Sequence, residues 1–317
     1  MIKPTVKNED AKKYVNSSGL ELVIVRKDDN IVYLVFENKE LIDIEFEKEN
    51  ELPVGTKCVG KVSKIAKDIN SAFILLPDKS TAYLKNIPAD LKCEQNIAVE
   101  ITRASSKGKL PSVTLINEDI EHRTDLSIIE KGPKIYEKLL LKYKFNRILT
   151  DIDNILKEIK EFINSNNVID LSELILYNDL MVSLSTLYSV SARLKEATSK
   201  VIWLKSGANI VIEETSAFTV IDVNSAKKDN KKSNSFLEIN KEAAAEIFRQ
   251  MNLRNLSGII LIDFINLERE EYKILMDELN NLAKTQKSFT KVVDITALGI
   301  AEITRKKEGI TLSDIVK

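Results

Sequence analysis

One histidine, two cysteines, nine glycines and six prolines are spread over 317 residues, and each scarcity removes a class of chemistry or architecture. His122 alone supplies neither the acid–base pair of a two-histidine nuclease nor a multi-histidine zinc site. Its polar surroundings, NEDIEHRTD, read as an exposed loop or helix. Cys58 and Cys93 form no C-x-x-C motif and no disulfide framework, which suits a reducing compartment. Both read as small buried hydrophobes. No apolar run approaches the ~18 residues of a membrane span, and the opening MIKPTVKNEDAKK is polar. Neither a span nor a secretory leader is expected, and a cytoplasmic location is. An excess of one charge is missing as well. With 47 Lys+Arg against 48 Asp+Glu the net charge is −1, so binding a polyanion would need local patches. Three exist, at Arg103–Lys109, Lys227–Lys232 and Arg305–Lys307, and each also fits a solvated loop.

What remains is 44% hydrophobic and 30% charged, the make-up of an ordinary globular chain long enough for two or three compact units. LELVIVRKDDNIVYLVFENKELIDIEFE alternates with period two and predicts three strands, broken at Lys27–Asn30 and Asn38–Lys39. The segments VGTKCVGKVSKIAKDINSAFILLPDKSTAYLKN and LKCEQNIAVEITRASSKGKLPSVTLI predict five short strands. That count fits a small five-stranded barrel, with the OB-fold as the leading form. From Leu126 the period becomes helical. Pro133 is expected at the first position of a helix whose Ile135, Leu139 and Tyr143 share a face. NRILTD reads as a strand, with Thr150 capping a helix over 151–164 and Asp153 completing a capping box. One long helix is expected near Ser183–Ser199. The rest alternates strand and helix, an α/β order. The expected divisions are 1–53, 54–116, 117–202 and 203–317.

Two aspartates stand out in the last division. AFTVIDVNSAKK ends an apolar strand on Asp222, with Asn224 two residues on. A helix follows, with Ser235 and Glu238 as its capping box and Ile239, Ala243 and Ile247 on one face. Gly258 is expected in the left-handed position that ends it. IILID then ends a second apolar strand on Asp263. If the two strands are parallel neighbours, both carboxylates leave one edge of the sheet, where ligands of α/β sheets sit. Carboxylates a few ångströms apart repel unless a cation lies between them. Mg²⁺ suits such a site, because it binds through one or two carboxylates plus phosphate and water; Mn²⁺ is a substitute. Asn224 would orient a phosphate or a water. The residue pattern leaves a second reading open, since an Asp at a strand end also forms turns and caps helices.

IVIEETSAFTVIDVNSAKK, EINKEAAAEIFRQMNLRNLSGIILIDFINL and DITALGIAEITRKK, in that order, resemble the ribonuclease E/G family of bacterial endoribonucleases. ENKELIDIEFE resembles the family's first β-hairpin, and Val54–Thr114 its RNA-binding OB-fold. NRILTDIDNILKEI and LYNDLMVSLSTLYSV…WLKSG resemble its ribonuclease-H-like part. The resemblance implies a mixed α/β chain of several subdomains. In it, a ribonuclease-H-like part with an inserted OB-fold barrel is followed by a DNase-I-like α/β catalytic subdomain. It places Asp222 and Asp263 on the family's magnesium-binding aspartates and Asn224 on its active-site asparagine. Phe73 and Tyr83 fall on aromatic positions that hold RNA, and Arg103 and Lys109 on basic positions beside them. For Phe73, the apolar context SAFILL favours packing inside the barrel, which makes Tyr83 the stronger candidate for the RNA contact. Lys227 is positioned to offset phosphate charge.

The function so implied is a magnesium-dependent endoribonuclease that cuts single-stranded RNA with a metal-activated water. It would leave 5′-phosphate and 3′-hydroxyl ends, in RNA processing or mRNA decay. Three departures qualify it. No counterpart of the family's 5′-monophosphate sensor is present, so 5′-triphosphate and 5′-monophosphate RNA should be cut at similar rates. The zinc-link is absent, so neither zinc nor a zinc-linked dimer is expected, and the oligomeric state stays open. Ser216 and Ala297 stand where the family has Glu and Arg, which keeps a second reading in view, an RNA-binding regulatory protein that has lost catalysis. A phosphodiesterase acting on nucleotides or DNA fits the strand-end carboxylates but not the barrel.

Overall fold

A computed structural model describes residues 19–105, 108–120, 125–166, 171, 173–225, 236–307 and 311–316; His122, Lys227 and Ser235 lie outside the described residues. The chain divides into two compact units, Met1–Val190 and Ser191–Lys317.

The first unit holds a sheet and a barrel. Strands β1 (Leu20–Lys27), β2 (Asn30–Glu37) and β3 (Glu40–Lys48) form the expected antiparallel meander. The breaks fall where Asp28, Asn38 and Lys39 take positive φ, the backbone that two-residue hairpin turns require. β10 (Arg147–Thr150) and β11 (Glu173–Leu176) add in parallel, giving the order β11-β10-β1-β2-β3. Helices α1 (Ile135–Lys142) and α2 (Asp153–Asn166) pack Leu139, Leu140, Ile155 and Ile159 against Leu22, Ile24 and Tyr33.

Three local expectations are corrected here. Lys134 is the cap of α1, so Pro133 precedes the cap rather than opening the helix. Thr150 stays in β10, and its Oγ1 accepts the Ile152 N–H at 3.1 Å, turning the chain two residues before α2 begins. The single helix near Ser183–Ser199 is two, α3 (Leu184–Leu187) and α4 (Val190–Ala197), because Ser189 between them has φ 50°.

The barrel consists of β4 (Lys57–Ala66), β5 (Ser71–Leu75), β6 (Thr81–Lys85), β7 (Asn96–Arg103) and β8 (Ser112–Leu115). It closes in the order β4-β5-β6-β8-β7-β4, with a short β9 (Ile128–Glu130) added to β4. All pairings are antiparallel except β6–β8, an OB-like arrangement. Ala72, Ile74, Leu84, Val99 and Ile101 fill it. Gly60 makes room for a side chain of the neighbouring strand, since a Cβ there would lie 2.5 Å from Ile74 Cγ2. Cys58 is in this core, and burial pushes its thiol up to about 11. Cys93 is exposed, against expectation.

The second unit is a six-stranded sheet with helices on one face. β12 (Val201–Trp203), β13 (Asn209–Glu214), β14 (Phe218–Asn224), β15 (Gly258–Asp263), β16 (Thr290–Ile295) and β17 (Ile300–Arg305) are ordered β12-β13-β14-β15-β17-β16. Only β14–β15 is parallel, because α5 (Phe236–Leu253) returns the chain between them. α5 and α6 (Arg269–Lys284) bury Ala243, Ile247, Phe248, Leu275 and Leu279 against Ile221, Val223, Ile260, Ile262 and Ile303. Asn255, at φ 52°, takes the left-handed position after α5; Gly258 has the expected positive φ, 86°, but it opens β15 rather than ending the helix. Arg305, 3% exposed, holds this corner by donating to Leu256 O, Asn255 Oδ1 (3.3 Å) and Asn252 Oδ1 (3.1 Å). Among the described residues, no helix is long and apolar enough to cross a membrane.

Candidate active site

The parallel register of β14 and β15 places Asp222 directly opposite Asp263. Neighbouring strands lie about 4.8 Å apart, so the two carboxylates leave adjacent backbone positions on one side of the sheet. Which side follows from the alternation. Thr219, Ile221 and Val223 of β14, and Ile260 and Ile262 of β15, are buried on the helix side. Asp222, Asn224 and Asp263 have the opposite parity and stand on the face without helices, Asp222 half-buried and the other two exposed. Asn224 Nδ2 donates to Asp222 Oδ2 at 2.7 Å, which fixes that carboxylate's rotamer.

Residues the sequence pattern did not mark hold this edge in place. Asn240 of α5 is fully buried and grips the backbone just after Asp263. Its Nδ2 donates to Ile265 O at 2.7 Å, and its Oδ1 accepts the Ile265 N–H at 3.1 Å. Tyr272 of α6 accepts the Leu267 N–H at 3.4 Å. Its hydroxyl also lies where a Cβ on Gly299 would come within 2.7 Å, and Gly299 has φ 83°. That glycine sits in the turn joining β16 to β17, closed by the Gly299 N–H on Thr296 O at 2.9 Å. Ala297 belongs to this turn, at the sheet end where Asp263 pairs with Ile300. Ser216 lies in the β13–β14 turn at the other end, closed by Thr215 Oγ1 donating to Phe218 O at 2.6 Å. The four residue steps from Phe218 to Asp222 separate that turn from the carboxylates by about 13 Å.

The donor set suits a hard divalent cation. Asp222, Asp263 and Asn224 offer only oxygen as ligands, and no cluster of three or more His, Cys, Asp or Glu able to hold a metal exists among the described residues. A two-carboxylate site on an open face leaves the remaining coordination to water and phosphate, as Mg²⁺ prefers and a structural zinc site does not.

In the first unit, the barrel gathers the other predicted residues on its outer surface. Phe73 alternates with the core residues Ala72 and Ile74 and points outward, so packing inside the barrel is ruled out for it. It stands opposite Tyr83, with ring centroids 5.9 Å apart. The lateral row continues from Lys64 through Phe73, Tyr83 and Ser112 to Arg103. Lys109 is exposed on the connection before Ser112, where Pro111 O accepts the Tyr83 N–H at 2.8 Å. Ser71 Oγ donates to Ile69 O at 2.9 Å, so the Tyr83 hydroxyl, 2.7 Å away, donates to Ser71. Aromatic rings on a barrel surface edged by cations match unpaired nucleic-acid bases and their phosphates.

Comparison with known proteins supplies the remaining observation. Residues 84–308 match the model of the Ribonuclease E/G family. The chain is 37% identical over 175 residues to a protein named Ribonuclease E from Synechocystis sp., covering 54% of this chain and 26% of that protein. It is 34% identical over 143 residues to the Ribonuclease E/G-like protein, chloroplastic, of Arabidopsis thaliana, covering 44% and 14%. It is 33% identical over 133 residues to Ribonuclease G of Escherichia coli K12, covering 41% and 27%. The chain therefore matches less than a third of the length of each of these relatives.

Proposed function

The chain belongs to the ribonuclease E/G family, and from that premise we propose that it is a magnesium-dependent endoribonuclease acting on single-stranded RNA. The observation that carries the reading is the Asp222–Asp263 pair, side by side at the ends of two parallel strands on an open face. These two carboxylates would hold the cation. When bound, it polarises the scissile phosphate and lowers the pKa of an attacking water. Asn224 keeps Asp222 in one rotamer through its amide N–H. Asn240 fixes the backbone that follows Asp263, so neither carboxylate has to be ordered when RNA arrives. On the barrel, Phe73 and Tyr83 stack on unpaired bases, and Arg103 and Lys109 offset phosphate charge. Cleavage leaves 5′-phosphate and 3′-hydroxyl ends. In this reading the first sheet is ribonuclease-H-like, on the support of its order β11-β10-β1-β2-β3, and the second unit is DNase-I-like.

The test is cleavage of an A/U-rich single-stranded oligoribonucleotide with Mg²⁺ and with a chelator, for the wild type, Asp222→Asn and Asp263→Asn. Loss of cutting in both variants and in the chelator is expected; full activity in both variants overturns the mechanism. Tight RNA binding without turnover in the wild type selects the regulatory reading instead, which Ser216 and Ala297 favour by standing where the family has Glu and Arg.

A further inference from the structure

The edge of the catalytic sheet carries an aromatic side chain that the proposed chemistry has not used. Trp203, the only tryptophan of the chain, is 71% exposed at the end of β12. Ile202 beside it packs into the helix-side core, so Val201 and Trp203 stand on the open face with Asp222 and Asp263. Register makes the relation definite. Val201, Val211, Asp222 and Asp263 form one lateral row, and Trp203, Asn209 and Asn224 form the next. Two strand spacings, about 10 Å, separate the backbone of Trp203 from that of Asn224.

This edge is also held rigid. Leu204 and Ala208 close the β12–β13 hairpin through the Leu204 N–H on Ala208 O at 2.8 Å. Glu242 of α5 accepts the Lys205 N–H at 2.8 Å and the Ser206 N–H at 3.3 Å. The same helix carries Asn240, which fixes the loop after Asp263. Indole and carboxylates are thus anchored to one helix. An exposed indole on an edge strand is an association liability unless it serves a ligand. Among the described residues, this one has no ring partner.

We propose that Trp203 is a stacking platform for a nucleobase of single-stranded RNA, next to the phosphate held at Asp222 and Asp263. The proposal rests on the reading of this sheet as RNA-cutting. A nucleobase fits better than an apolar protein segment, because such a segment would also bury the Asn209 and Asn224 amides and the carboxylates beyond them. A base needs only its π-face on the indole, and exposed Lys205 follows Trp203 for the adjoining phosphate.

Because the chain has one tryptophan, its fluorescence reports on this position alone. Asp263→Asn protein, which keeps RNA intact in the proposed mechanism, is titrated with a fluorescein-labelled A/U-rich single-stranded oligoribonucleotide while label anisotropy and tryptophan emission are followed together. Emission should be quenched with the same midpoint as the anisotropy rise. Trp203→Ala should weaken binding about tenfold and Trp203→Phe recover most of it. In the otherwise wild-type chain, the Trp203→Ala loss should appear in KM rather than kcat. An anisotropy rise with unchanged emission, or unaltered affinity in Trp203→Ala, overturns the platform and leaves the nuclease reading standing. No anisotropy rise at all overturns both. Emission that shifts with protein concentration and ignores RNA identifies an interface with a second copy and overturns the platform.

Discussion

LELVIV in β1 and GIILID in β15 are both central strands with a nearly unbroken apolar run, yet they end in opposite surroundings. Leu22 to Val25 are fully buried, so β1 is covered on both faces. In β15, Ile260 and Ile262 are fully buried while Ile259 is 49% exposed, so that strand keeps one face open. Their carboxylates follow suit. Glu21 of β1 is buried and bonded to Arg147 Nε at 2.7 Å and to the Tyr188 hydroxyl, its charge answered inside the protein. Asp263 of β15 is exposed beside a second carboxylate, its charge left to be answered from outside. The face a strand leaves open, rather than its hydrophobicity, decides whether its carboxylate is paired inside the protein or left to a partner from outside.

The largest effect that would break this comparison is in the buried pair. Arg147→Leu leaves Glu21 charged and buried with part of its compensation gone, and should cost about 3–5 kcal/mol of unfolding free energy. Denaturant melts measure it, and replacing Glu21 by Leu in the same chain should recover part of the loss. Asp263→Asn is the counterpart. It should lower kcat by about 10²–10³, the scale on which a preorganised electrostatic group acts, while stability stays within about 0.5 kcal/mol. A stability loss at Asp263 as large as at Arg147 would mean that the aspartate is a structural group after all.

The strands and their breaks were readable from alternation and turn residues, and so was the condition that makes Asp222 and Asp263 neighbours. Whether that condition held depended on the parallel register, which no local pattern encodes. Helix ends were less readable, because Asn255 and Gly258 both take positive φ while only Asn255 ends α5, and a single positive φ at Ser189 splits a continuous helical pattern. Asn240 was invisible for another reason. It sits on the apolar face of α5, and its partner Ile265 is distant in sequence. Likewise Trp203 has the composition of a core residue, and only the burial of Ile202 next to it assigns the indole to the open face.

Asn240 therefore joins the two sides of the comparison, being a buried polar group that serves an exposed site. Asn240→Ala strands the Ile265 N–H and C=O and should cost about 1–3 kcal/mol of stability. It should also lower kcat, because the backbone after Asp263 is freed. Asn240→Asp keeps an acceptor for the N–H but no donor for the carbonyl, so it should fall between wild type and Ala in both readouts. Unchanged kcat in Asn240→Ala, with stability lost, would confine this residue to packing.

The smallest effect is the sharpest test of the open face itself. Ile259→Thr keeps the β-branched shape that suits a strand, and on a solvated face its hydroxyl finds water. Stability should change by no more than about 0.5 kcal/mol. The same substitution at Ile260 puts a hydroxyl among the Ile221, Ile247 and Ile303 side of the core and should cost several times as much, since a buried donor without a partner is penalised in full. Adjacent residues of identical type, changed identically, then differ only in the face they occupy. Equal losses at Ile259 and Ile260 would show that the face carrying Asp222 and Asp263 is covered in solution. In that event the contrast with β1 would vanish, and Asp222 and Asp263 would need a buried route to their substrate.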